Sequence, residues 1–206
     1  MRIISYLGKT SANISLSMAK SKADCHIKGL HSIVIAERPD GSLLRMFITD
    51  KDHEMYKWGN LAIHDHHRDL KLLRLCGEPK HFKFALTQGN AFQCFKFSSA
   101  ISGIGRFEKQ DKRASFSKSY SYMTKMTVED PLIALQGNEL HTMTVPKGEV
   151  ACWLVEEGAS NRDYTGEAYS LQDLEEWTPE GLYNPMKSTQ IFNLINDALV
   201  SALNEN

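Results

Sequence analysis

The chain has 206 residues, of which 42% are hydrophobic and 24% charged, which supplies enough apolar material for a substantial core in a single β-sandwich or barrel. Its formal net charge is -1, so no overall positive field draws in a phosphate backbone, and nucleic acid is excluded as the main expected partner. No apolar run approaches the roughly 20 residues that span a bilayer, and the start lacks the continuous apolar segment of a secretory signal, so a cytoplasmic protein without a membrane partner is expected.

Residues 1–24 are rich in Ser, Lys and small side chains with weak periodicity, and read as an irregular arm or a single edge strand. From His31 the runs HSIVIAE and SLLRMFITD are β-branched and apolar, and Arg38-Pro39-Asp40-Gly41 between them carries the residues of a tight reversal, which predicts a hairpin. The runs LAIHDHH, DLKLLRL, KHFKFAL and AFQCFKF follow, broken by Gly59-Asn60, Gly77-Glu78-Pro79 and Gln88-Gly89-Asn90. Short strands with turn signals about every 8 to 12 residues mark a sandwich or barrel.

Residues 98–112 mix small residues, two glycines and charge, as a mobile surface loop does. Alternation returns in SFSKSYSYMTKMTV, and ELHTMTV and EVACWLVEE are two further strands joined through Pro146-Lys147-Gly148. After Gly158 the chain turns polar and rich in turn residues. In the last segment Ile191, Leu194, Ile195, Ala198, Leu199 and Ala202 fall on one helical stripe, with Ser188 or Thr189 placed to cap it, which predicts an amphipathic helix over residues 188–204. The whole is read as one domain, residues 1–206. Cys25, Cys76, Cys94 and Cys152 form no C-x-x-C pair and are expected to be reduced and buried.

The chemistry concentrates at His64-Asp65-His66-His67-Arg68-Asp69, three imidazoles and two carboxylates in six positions. Imidazole is the commonest metal ligand and a natural acid-base group near neutral pH. In an extended strand His64 and His66 share a face, and Leu70 and Leu72 continue their parity, so this pair is expected to point inward. His141 shares parity with Met143 and Val145 and is the candidate third ligand. Three histidines around one ion, with positions left open, make a catalytic rather than a closed structural site.

These residues resemble the cupin superfamily, whose first motif is an H-x-H pair after a glycine and whose second contains P-x-G. The matching positions are Gly59, His64-Asp65-His66 and Gly77, then Gly137 and Pro146-Lys147-Gly148, over roughly residues 59–158. The chain is also similar to uncharacterised bacterial cupin-like proteins, a likeness that carries no function. The resemblance implies a mainly β, cupin-like double-stranded β-helix, or jelly roll, followed by the C-terminal α-helix. It also implies a divalent metal (Fe, Mn, Ni or Zn) on His64, His66 and His141, a small polar or carboxylate ligand, and, in an enzyme, dioxygenase, isomerase or lyase chemistry. Two family ligands are missing: the expected glutamate falls near Leu70 or Lys71, and the histidine after P-x-G falls at Ala151.

Other readings stay open. The histidines could be solvated or hydrogen-bonded strand residues of a metal-free jelly-roll binding or assembly protein, in one form a homodimer. His67-Arg68-Asp69 with His141 could form a facial triad for iron. A helical His64-Asp65 would resemble all-α phosphohydrolases. Gly103-Ile104-Gly105 lacks the third glycine of a nucleotide loop, so no nucleotide is expected. Tyr120 and Tyr122 suit a strand rim better than base stacking, Trp153 is expected in the core near the pocket, and Cys25-His26 is a weak nucleophile pair.

Overall fold

The structure, a computed structural model, describes residues 20–56, 63–98, 106–116, 122–127, 129–160, 166–170 and 181–205. In chain order its strands are β1 (Lys22–Ala23), β2 (Leu30–Glu37), β3 (Leu43–Thr49), β4 (Ile63–His64), β5 (Arg68–Cys76), β6 (Lys80–Phe84) and β7 (Leu86–Ser98). Then come β8 (Arg106–Phe116), β9 (Tyr122–Lys125), β10 (Leu132–Leu135), β11 (Leu140–Thr144), β12 (Cys152–Ser160), β13 (Gly166–Ser170), β14 (Asn184–Pro185) and the helix α1 (Ser188–Asn204).

Two seven-stranded antiparallel sheets result, β10-β5-β12-β3-β2-β1-β14 and β8-β7-β13-β4-β11-β6-β9. Eight of these strands pair from the outside inward: β3 with β12, β4 with β11, β5 with β10 and β6 with β9. First with last, second with seventh, third with sixth and fourth with fifth is a long hairpin wound into two facing sheets. That is the jelly roll. The mainly β class, the jelly-roll architecture and the C-terminal helix are therefore as the sequence implied.

The space between the sheets is filled by Leu70, Leu72, Met126, Ile133, Leu135, Val145, Trp153 and Val155, with Phe47 and Met143 against them. Alternation along β5 explains the choice: Leu70 and Leu72 face this core, while Leu73 and Leu75 pack on the outer face with Leu44, Leu154 and Ile35. Each large apolar side chain so buried is worth about 1.5–3 kcal/mol. Trp153 is 3% exposed and its ring stacks on Phe47 at 5.9 Å, in the core where it was expected.

Elsewhere on the outer face of the first sheet, α1 covers Ile33, Ile48, Cys76 and Cys152 with Ile191, Ala198, Leu194, Ile195 and Ala202. Leu199, placed on this stripe by its spacing, is instead 49% exposed. The cap also differs from expectation. Lys187 is the capping residue, its N–H donating to Gln190 Oε1 at 2.8 Å, and Ser188 is already helical. All four cysteines are free and buried, as expected.

Three further readings are corrected. The Gln88-Gly89-Asn90 signal does not end a strand, because β7 runs through it with a bulge. Thr87 pairs with Ser115 and Phe92 with the adjacent Ala114, so the intervening residues have no ladder partner. Gly89 sits at φ 151°, where an added Cβ would meet Ser115 Oγ at 2.1 Å, so a turn signal has become a close backbone approach. Residues 106–112, read as part of a mobile loop, belong to β8, and 106–109 of them pair with β7; the rest of that loop beyond Ser98, with Gly103-Ile104-Gly105, lies outside the described residues. The polar stretch after Gly158 contains β13, which joins the second sheet between β4 and β7. Tyr120, Gly59 and residues 1–19 of the arm also lie outside the described residues, while Lys22–Ala23 forms the short strand β1.

Candidate metal centre

The winding places the second and seventh strands side by side, and with them two histidines 77 positions apart: His141 of β11 is the direct register partner of His64 of β4. Cross-strand partners share a face, and Met143, two residues along β11, packs in the inter-sheet core, so both imidazoles point between the sheets. His66 arrives differently. The strand ends at His64, and His66 lies in the connection to β5 with its N–H donated to Gly137 O at 2.7 Å. Asp65 is buried, and its Oδ1 accepts the Glu167 N–H at 2.6 Å, which pins the connection to β13. The shared direction of His64 and His66 was expected from strand alternation, yet the connection brings it about.

One ligand atom from each of His64, His66 and His141 lies within 4.8 Å of the others. His66 Nε2 and His141 Nε2 are 2.8 Å apart, and the His64 ring lies 4.9 Å from His66 and 4.7 Å from His141, centroid to centroid. An ion with bonds of about 2.1 Å holds neighbouring nitrogens roughly 3.0 to 3.4 Å apart, so small rotations would seat one here. His141 is buried, while His64 and His66 are half-buried.

Two more histidines complete the surroundings. His26, on the turn before β2, stacks on His64 at 5.2 Å, and its Nδ1 is 2.7 Å from the Tyr183 hydroxyl. Both His26 and Tyr183 hold positive φ, at 67° and 55°, conformations that cost non-glycine residues on the order of 1–3 kcal/mol each. His81 of β6 is fully buried; its Nε2 lies 3.0 Å from His141 Nδ1, and its Nδ1 has no hydrogen-bond partner. A buried polar atom left unpaired costs about 1–3 kcal/mol.

Burial is the largest cause of every resolved imidazole shift here. It drives His66 and His141 well below 6.5, with the neighbouring imidazoles adding to the effect. It takes His26 down to about 3, helped by His64 and Arg45, and His81 down to about 4, helped by Lys83. These rings are therefore neutral near pH 7, the state in which imidazole offers a lone pair to a metal.

The positions where the cupin resemblance implies a glutamate and a further histidine offer no ligand: Leu70 and Ala151 are buried in the core and Lys71 is exposed. The facial-triad reading is not formed. His67 Nε2 is engaged by Arg68 Nε at 3.3 Å, and Asp69 is exposed, with its Oδ1 accepting the Gly137 N–H at 2.8 Å. The helical reading of His64-Asp65 falls with β4. Cys25 is not an activated nucleophile either, since burial pushes its thiol up to about 11.

His26 and His81 were missed from the sequence as members of the cluster. His81 sits in an ordinary alternating run and His26 in a polar turn, and no local pattern separates either from a structural histidine.

No protein-family model matches the chain, and no curated protein matches it. Among solved structures, the cupin domain of Drosophila melanogaster CENP-C is similar at 11% identity and a TM-score of 0.36, over 76% of this chain and 92% of that one. The strand order by itself makes this a jelly-roll protein. Where the two sheets face each other it carries a group of five histidines, with His81 and His141 buried and His26, His64 and His66 half-buried.

Proposed function

We propose that this protein holds a divalent metal ion (Fe, Mn, Ni or Zn) on His64, His66 and His141 and presents it to a small polar or carboxylate ligand. The observation that carries this reading is the convergence of three imidazoles from two distant segments, with one ligand atom of each within 4.8 Å of the others. Rings that were merely solvated would gain nothing from burial beside one another, because each loses hydration and its neighbours oppose its charging. When bound, such an ion supplies Lewis-acid polarisation of a ligand oxygen or activation of water. Around it, His141 is the rigid anchor on β11, His64 its cross-strand partner, and His66 the ligand on the connecting turn that adjusts to the ion. His26 stands over the cluster, braced by Tyr183, as a neutral group facing whatever the ion receives.

A second reading is favoured by one contact. The 2.8 Å separation of His66 Nε2 and His141 Nε2 is also that of a hydrogen bond between neutral rings, which suits a metal-free jelly-roll binding protein.

Metal analysis of protein purified without chelator separates the two. Near one equivalent of a transition metal is expected, with thermal stability gained on adding Zn2+ and with both effects lost in His64→Ala. Free ion at 100 times its Kd should stabilise by about 2.7 kcal/mol. A metal-free protein whose melting is indifferent to added ions establishes the second reading instead.

A further inference from the structure

His81 is a buried imidazole whose polar contacts do not account for its burial. Among the described residues its single hydrogen-bond partner is His141, through Nε2 to Nδ1 at 3.0 Å, while its own Nδ1 has none. The contact has a direction that matters. His141 reaches His66, and the place where an ion would sit, with Nε2, and it reaches His81 with Nδ1. A neutral imidazole carries one proton, so His141 can offer the Nε2 lone pair only when that proton is on Nδ1.

We propose that His81 is a positioning residue of the metal site: its Nε2 accepts the Nδ1 proton of His141, fixing the tautomer in which His141 Nε2 is free to bind the ion. The inference rests on the metal reading above and names the residue that prepares it. With an ion on His141 Nε2 the protons line up in one order. His141 Nδ1–H donates to His81 Nε2, and the His81 proton is then on Nδ1, the atom found without a partner. The reverse order, with His81 Nε2–H donating to His141 Nδ1, puts a proton on His141 Nε2 facing His66 and blocks the site. Metal binding therefore selects between two hydrogen-bond directions in a buried pair. Outer partners of ligating histidines act in this way, and their loss typically costs 10–100-fold in metal affinity.

The test compares Zn2+ affinity, by competition with a chromophoric chelator, in the full-length wild type, His81→Leu and His81→Gln. Leucine removes the acceptor together with the unpaired His81 Nδ1 and leaves His141 Nδ1 without this partner, one unpaired buried nitrogen exchanged for another, so the metal-free variant should melt close to the wild-type temperature while Zn2+ affinity falls 10–100-fold. The glutamine side-chain carbonyl can still accept the His141 proton, so His81→Gln should bind within a few-fold of wild type. Nitrogen chemical shifts of labelled histidine should place the His141 proton on Nδ1 in the Zn2+-loaded wild type. Equal Zn2+ affinity in wild type and His81→Leu, or a His141 proton on Nε2 in the loaded protein, overturns the positioning role and leaves the metal site standing. No Zn2+ binding by wild type removes the metal site, and this role with it.

Discussion

The space between the two sheets is filled in two opposite ways, and β11 passes from one to the other within three residues. Met143 packs with Trp153, Leu72 and Val155 in an apolar cluster, whereas His141 lies among imidazoles with one buried nitrogen unpaired nearby. The first filling gains from leaving water and needs no directional partner. The second loses hydration, opposes its own protonation, and is braced by two residues in left-handed conformations. A fold retains such a region against its stability when the region does something else, and this contrast is the ground for proposing function at the histidine end.

The contrast breaks most visibly on the apolar side. Trp153→Ala should cost about 3–5 kcal/mol in urea unfolding, because a cavity opens between the sheets. A loss under 1 kcal/mol would mean that the inter-sheet core is not packed as described.

Acid should act on the other side, and the sign follows from the direction of the shifts. His26, His66, His81 and His141 all titrate below 6.5 in the native state, so below that pH the unfolded chain binds protons that the folded chain refuses. Stability is full above about pH 6.5 and falls as the pH drops towards the native values, about 4 for His81 and about 3 for His26. Between pH 7.5 and 5.5 the loss should be on the order of 1 kcal/mol for each fully buried ring and less for the half-buried ones, which solvent screens. Urea titrations at the two pH values measure it, and His141→Leu should shrink the difference. An unchanged midpoint at pH 5.5 would show these rings to be hydrated.

Smaller effects belong to the helix, which serves neither filling. Gln190→Ala removes the acceptor for the Lys187 N–H and should lower stability by about 0.5–1 kcal/mol in thermal melts, without altering Zn2+ affinity. Phe192→Ser, at a residue 62% exposed, should stay within about 0.5 kcal/mol of wild type, and a larger drop would show that this ring is covered in solution.

Much of the architecture was written in local pattern. The apolar runs HSIVIAE, DLKLLRL and EVACWLVEE, the reversal at Arg38-Pro39-Asp40-Gly41 and the change of period at Ile191 correspond to β2, β5, β12, the first hairpin and α1. Where the reading missed, as at Gly89 and β13, the local signal was ambiguous: a glycine serves a bulge as well as a turn, and a short polar strand looks like a loop until a neighbour pairs with it.

What the sequence determined by itself was the list of chemically able residues and the faces on which strand periodicity puts them, because alternation is a property of the backbone alone. Only the tertiary structure decided that His64 would lie opposite His141, that His66 would reach them from a turn, and that His26 and His81 would close the group. Those meetings depend on which strands the jelly-roll winding sets side by side. That pairing is chosen by the burial of the whole apolar core, not by any segment that carries a histidine.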